Sequence, residues 1–277
     1  MRELACGRFR LALTRPLVMG IVNVTPDSFS DGGRFGSIEA AVRQAQQLMD
    51  EGADILDIGG ESTRPGAAPV AAAEELDRVL PVLERIADSP VPLSIDTYKP
   101  EVMVAALAAG ASMVNDVKAL REPGALDAVV RSDAAVCLMH MRGTPQTMQL
   151  DPNYGDVVGE VCAFLHDRIA ACEAAGIDRE RIVIDPGFGF GKTKAHNIDL
   201  LRHLDKVTAL GLPVLAGLSR KSVLGTITAR NVGERVPSSV AAALVAVYRG
   251  AAIVRVHDVG ATRDALAVYG AIELDHE

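Results

Sequence analysis

Four cysteines, Cys6, Cys137, Cys162 and Cys172, are all the chain has, and none forms a CxxC pair. That spacing excludes a zinc ribbon and a disulfide framework and fits reduced thiols in a cytosol. No run reaches the roughly 18 apolar residues of a membrane span, and Arg2, Arg8, Arg10 and Arg15 interrupt the N-terminal segment. No membrane association or export is therefore expected. Positive charge is also short. The 28 Lys and Arg against 36 Asp and Glu leave a formal net charge of -8, which repels polyphosphate and argues against nucleic-acid binding. Any anion must be held by a local site. There is no HExxH, EF-hand loop or Cys/His cluster, and no linker, low-complexity tract or repeat to mark a second domain. Aromatic residues make up only 4% of the chain against 49% hydrophobic residues in all, so a sizeable aliphatic core is expected and wholesale disorder is excluded.

What is present is an alternation. Short Val- and Ile-rich runs at 17–23, 54–58, 92–96, 112–116, 135–140, 181–185, 213–217 and 252–257 predict strands. Stretches of helical periodicity at 37–51, 74–88, 101–109, 156–175, 196–210, 238–249 and 262–272 separate them. Each apolar run ends in a polar residue: Asn23, Asp57, Asp96, Asn115, His140, Asp185, Ser219, and Arg255 with His257. In a (β/α)8 barrel all strand C-termini open on one face, so eight decorated ends would converge on one pocket. An open doubly wound sheet would use only the strands beside its switch point. The expectation is α/β, a single TIM barrel over residues 1–277 with its site at the C-terminal face of the strands.

The Gly187-Phe188-Gly189-Phe190-Gly191-Lys192-Thr193 segment is not a P-loop, because position 186 is Pro where that motif needs Gly, and it fails GxGxxG as well. Its glycines let backbone approach a flat ligand, and Phe190 could cover a ring. Asp96 and Asp185 end apolar strands, where a carboxylate needs a cation or N–H donors. A planar heterocycle with an amidine-like edge, such as a pterin or guanine, would offer two donors to one carboxylate. The alternative is that these aspartates cap helices or pair with Lys221 or Arg255. Arg255 and His257, two apart, share one strand face and suggest an anion site. The Ser219-Arg220-Lys221-Ser222 run adds a cation and hydroxyls to the same mouth, or is a solvated charge run ahead of a helix. Asn23 is a neutral oxygen that could share Mg²⁺ with phosphate oxygens. The loops Thr25–Gly33 and Glu61–Ala67 have the Pro and Gly of segments that fold over a substrate.

Taken together, the segments 19–33, 57–66, 94–97, 115–117, 138–141, 185–192, 217–222 and 255–259 resemble the bacterial dihydropteroate synthases, over nearly the whole chain. The resemblance implies condensation of 6-hydroxymethyl-7,8-dihydropterin diphosphate with p-aminobenzoate, giving 7,8-dihydropteroate and diphosphate, with Mg²⁺ as cofactor and sulfonamides as competitors of p-aminobenzoate. It implies pterin contacts from Asp96, Asn115, Val117, Met139, Asp185, Phe190, Gly217 and Lys221. Diphosphate contacts would come from Asn23, Arg255 and His257, with Asn23 on the metal. The p-aminobenzoate pocket would comprise Phe29, Thr63, Arg64, Pro65, Phe190, Lys221 and Ser222. Asp96, Lys221, Asn23 and Arg255 would carry the chemistry. A homodimer in the cytoplasm is implied too, with the 236–246 stretch as a candidate surface or as ordinary core packing. Competing expectations are a methyltetrahydrofolate–corrinoid methyltransferase, a silent pterin-binding paralogue, and a phosphosugar aldolase or isomerase using Lys221.

Overall fold

The computed structural model describes residues 3–25, 33–63 and 66–273. Eight parallel strands form the wall of a barrel: β3 (Leu17–Asn23), β4 (Ile55–Gly59), β5 (Leu93–Asp96), β6 (Met113–Asp116), β7 (Ala135–Met139), β8 (Ile182–Asp185), β9 (Leu215–Ala216) and β10 (Ile253–Val256). Hydrogen bonding runs in sequence order from β3 to β8, and β10 lies between β3 and β9. A bridge between Ile184 and Val214, with Ile184 N donating to Pro213 O at 3.0 Å, joins β8 to β9 and closes the ring. The strands are buried on both faces, which is why they read as continuous apolar runs.

The period-two alternation of side chains decides what faces inward. Met19, Ile55, Met113, Cys137, Val183, Leu215 and Ile253 pack together inside the barrel, while their neighbours join the larger cluster between strands and helices. Two residues further along, the inward positions are Asp57, Asn115, Met139, Asp185, Gly217 and Arg255. The functional groups are thus the top layer of the barrel filling.

Beneath that filling lies a hairpin that the sequence reading missed, β1 (Glu3–Cys6) and β2 (Phe9–Ala12). Leu4 and Cys6 are fully buried against the inner cluster, and Cys6 Sγ donates to Ser112 O at 3.2 Å, so the hairpin plugs the N-terminal end of the barrel. Each strand has only four residues, and Arg8 and Arg10 break the apolar pattern.

The helices largely follow expectation: α1 (Gly33–Asp50), α2 (Ala72–Arg85), α3 (Pro100–Ala108), α5 (Val157–Ala174), α9 (Val236–Tyr248) and α10 (Val259–Glu273). Asp156 caps α5 by accepting from Val158 N and Gly159 N. The helix expected over 196–210 is two, α6 (Lys194–Arg202) and α7 (Leu204–Thr208), because His203 leaves the helical region at φ -112° and ψ 31°. Two short helices were not anticipated, α4 (Ala125–Val130) and α8 (Ser222–Thr228), the second directly after Lys221.

Candidate functional site at the barrel mouth

Arg255 organises the centre of the mouth. Its Nε donates to Asp57 Oδ2 at 2.6 Å and its Nη2 to Asp96 Oδ2 at 2.7 Å, while Asn115 Nδ2 donates to the same Asp57 oxygen at 3.0 Å. Four strands, β10, β4, β5 and β6, therefore meet in one network. The ion pairing that sequence left open as an alternative is what Asp96 adopts. Asp57 was seen only as a strand end, yet it is 0% exposed and its Oδ1 has no hydrogen-bond partner. Its inward parity with Ile55 was the available signal. Burial raises the Asp96 carboxyl to about 7, against the Arg255 guanidinium that lowers it, with Asp57 adding to the rise. The same carboxylates hold the Arg255 pKa above its ordinary value despite its burial.

Across the mouth, the opposite charges of Asp185 and Lys221 act on each other through space. Asp185 is 5% exposed, and its Oδ1 accepts from Gly187 N at 2.7 Å. Burial raises Asp185, opposed chiefly by the Lys221 charge. Burial lowers Lys221 to about 8, opposed by Asp185. Lys221 Nζ donates to Phe188 O and lies 4.6 Å from the centre of the Phe190 ring. Gly217 sits between the groups: a Cβ there would lie 3.8 Å from Lys221 Nζ, 4.0 Å from Asp185 Oδ2 and 3.9 Å from Arg255 Cβ. Its missing side chain leaves room where both charged networks face the pocket.

Val117 and Met139 belong to a small apolar cluster with Met141 and Met148, against which Phe190 and Tyr98 pack. An apolar wall therefore stands beside carboxylates, amide and ammonium, the combination that a flat polar heterocycle needs. On the opposite rim, Ser219 Oγ lies 3.0 Å from His257 Nδ1 and accepts from His257 N at 3.1 Å. Half-buried Asn23 ends β3, between the strands that carry Asp57 and Arg255. Thr63 is half-buried and Ser222, the first residue of α8, is exposed. Phe29, Arg64 and Pro65 lie outside the described residues.

Among the described residues, no group of three or more His, Cys, Asp or Glu could hold a metal. Asn23, at the end of β3, would add one neutral oxygen. That donor set suits only a hard cation that brings most of its oxygens with it, as Mg²⁺ does when bound to phosphates.

The loop after β8 has strict backbone demands. At Gly187, with φ +70°, a Cβ would fall 1.9 Å from the His140 carbonyl oxygen; at Gly176, with φ +97°, it would meet nothing within 4 Å. Gly187→Ala should therefore lower stability by roughly 2–5 kcal/mol, from left-handed strain plus a backbone clash, and Gly176→Ala by about 1–2 kcal/mol from strain alone. Urea midpoints of the two variants check this, and equal losses would contradict it.

A family model described as pterin binding enzyme matches residues 19–257. The dihydropteroate synthase of Neisseria meningitidis serogroup B is 54% identical over 276 residues, 97% of each chain. The structure of Xanthomonas albilineans dihydropteroate synthase with 4-aminobenzoic acid superimposes with a TM-score of 0.94 at 58% identity, covering 99% of both chains. That of the Yersinia pestis enzyme with a sulfonamide drug gives 0.92 at 48% identity, covering 97% of this chain and 98% of that one. With the strand-end residues already gathered at one barrel mouth, these likenesses settle the family: the chain belongs to the dihydropteroate synthases, the pterin-binding TIM barrels.

Proposed function

We propose that the protein joins 6-hydroxymethyl-7,8-dihydropterin diphosphate to p-aminobenzoate, forming 7,8-dihydropteroate and releasing diphosphate. The observation that carries the reading is the placement of two charged networks, Asp57–Arg255–Asp96 with Asn115 and Asp185–Lys221, beside the Val117, Met139 and Phe190 wall. Asp185 and Asn115 read the donor edge of the pterin, Lys221 its carbonyl and ring-nitrogen side, and Gly217 leaves the ring room. Arg255 uses two of its five N–H donors on aspartates and offers others to the diphosphate, with Asn23 and His257. The bond between the pterin methylene carbon and the diphosphate oxygen breaks with its electron pair leaving on oxygen. The methylene cation is stabilised by the ring and by nearby Asp96, then captured by the arylamine, whose proton is lost to water. Charge stabilisation, and not a strong general base, is what the residues supply. His140, pushed down to about 3 by burial and by Lys192, is unsuited to that role. Mg²⁺, held by Asn23 and substrate oxygens, would offset charge on the leaving diphosphate.

The second substrate, p-aminobenzoate, would be held by Thr63, Lys221, Ser222 and Phe190, with Phe29, Arg64 and Pro65, and sulfonamides would compete there. The direct test is diphosphate release by the purified protein with Mg²⁺ and the dihydropterin diphosphate. Release that depends on p-aminobenzoate, with dihydropteroate identified by mass, supports the reading. Pterin binding without product would replace it with a silent binding protein.

Ionisation of Asp96 should be linked to pterin binding. Its raised pKa means that the free protein is protonated there below about 7, and N–H donors of the ligand favour the carboxylate. Affinity should then rise with pH up to about 7 and level off above it, with up to one proton released per ligand on the acid side. Titration calorimetry in two buffers of different ionisation enthalpy measures that proton, and its persistence in Asp96→Asn would refute the assignment.

A homodimer is the assembly we favour. Val245 and Tyr248 on α9 and Val268 and Ile272 on α10 are exposed on helices that pack side by side. Light scattering on the protein and on Tyr248→Glu tests this, the variant being expected as a monomer. A cytosolic location agrees with four free cysteines and with no described helix long and apolar enough to cross a membrane.

A further inference from the structure

Five consecutive carbonyls in the loop after β8 are each taken by a side-chain donor. Lys192 Nζ donates to Gly187 O at 2.9 Å and to Phe190 O at 3.1 Å. Lys221 takes Phe188 O, Gln149 takes Gly189 O at 2.6 Å, and Tyr154 takes Gly191 O at 2.8 Å. Lys192 alone holds two of them, and it is only 3% exposed, with its Nζ hydrogen bonds going to this loop and to His140. It also donates to His140, to Nδ1 at 2.9 Å and more weakly to the carbonyl oxygen at 3.4 Å; this residue is 5% exposed, with its ring edge-on against Phe164 at 5.0 Å. The clamp thus ties the end of β7 to both ends of the segment that carries Phe188 O and Phe190.

We propose that Lys192, seated on His140, is a positioning residue: by holding the carbonyls of Gly187 and Phe190 it fixes the Phe188 carbonyl that anchors Lys221 and the Phe190 ring that Lys221 faces. Both groups belong to the substrate site in the function proposed above, and the inference rests on that reading. Without the clamp, the Phe190 carbonyl and the His140 imidazole nitrogen lose their donor inside the protein, Gly187 O keeps only the Phe190 N–H at 3.1 Å, and the loop must turn these groups elsewhere. A shift of about 1 Å in groups that orient substrate can cost on the order of 100-fold in rate.

The test is a double-mutant cycle on kcat/KM for the pterin substrate, using Lys192→Met and Phe190→Ala. A positioning role predicts that Lys192→Met loses about 10- to 100-fold while folded, and that adding Phe190→Ala costs little more, since the ring is already misplaced. Additive losses would overturn the proposal, because a lysine that only stabilises the fold leaves Phe190 its full effect. The His140 variants give an independent arm and replace the first if Lys192→Met does not fold. His140→Asn keeps an acceptor near the Nδ1 position and should retain activity within a few fold, whereas His140→Leu should behave as Lys192→Met does and be non-additive with Phe190→Ala. Equal losses in Asn and Leu would also overturn it. Dihydropteroate formation by the parent protein, measured alongside, separates failure of this inference from failure of the functional reading.

Discussion

Asp185→Ala is expected to weaken pterin binding by about a hundredfold to ten-thousandfold and to leave the fold intact. The magnitude follows from losing a bidentate pair of charge-assisted hydrogen bonds, each worth about 1.5–3 kcal/mol. The fold should tolerate the change because the carboxylate is costly when no ligand is present: burial raises its pKa even against the Lys221 charge, the Gly187 N–H and the more weakly felt charges of Lys192 and Arg255. A raised folded pKa means that Asp185 subtracts stability as pH climbs above the ordinary carboxylate range. Asp185→Asn, which preserves shape and the acceptor for Gly187 N, should therefore unfold at or above the parent urea midpoint at neutral pH while losing pterin affinity. Fluorescence titration with a pterin and urea denaturation read the two effects separately. Unchanged affinity in either variant would remove Asp185 from the site.

Arg255→Met should lose on both counts, affinity and stability. Asp57 and Asp96 share this one guanidinium, and Asp57 is wholly buried. Breaking such a pair by removing one partner costs about 3–5 kcal/mol, chiefly because the remaining charge is stranded. Without Arg255 the Asp96 carboxyl becomes harder to ionise, so the deficit should be largest above about pH 7 and shrink toward acid as Asp96 takes up its proton. Arg255→Met combined with Asp96→Asn should recover part of the stability but none of the affinity for the dihydropterin diphosphate. Denaturation across pH, with binding of that substrate measured on the same proteins, tests both halves. A variant that is merely unstable and binds the diphosphate substrate normally would refute the anion role.

The barrel was legible in the sequence for a specific reason. Parallel strands covered on both faces must be continuously apolar, so their runs stand out, and a polar residue that ends such a run is conspicuous. Asn23, Asp96, Asn115, Asp185, Arg255 and the Lys221 region stand out in the sequence for that reason, and the ligands proposed for them come from the motif resemblance. The short elements escaped because their signal is short: the four-residue hairpin strands, the six-residue α4, and β9, where only Leu215 and Ala216 pair as strand. Pro213 still serves the wall there, since closing the ring needs its carbonyl and no N–H.

The sequence by itself determined the alternation of strands and helices, the decorated strand ends and hence the kind of ligand they suit, because periodicity and residue chemistry are local properties of the chain. Which group neutralises which was decided only by the tertiary structure. Arg255 reaches Asp57 and Asp96 across 198 and 159 residues, and Lys192 finds His140 across 52, because ring closure brings β10 beside β3 and sets the end of β7 beside that of β8. Those pairings depend on register and inward parity around a closed barrel, and a charge in a linear sequence carries no mark of the neighbour that folding will give it.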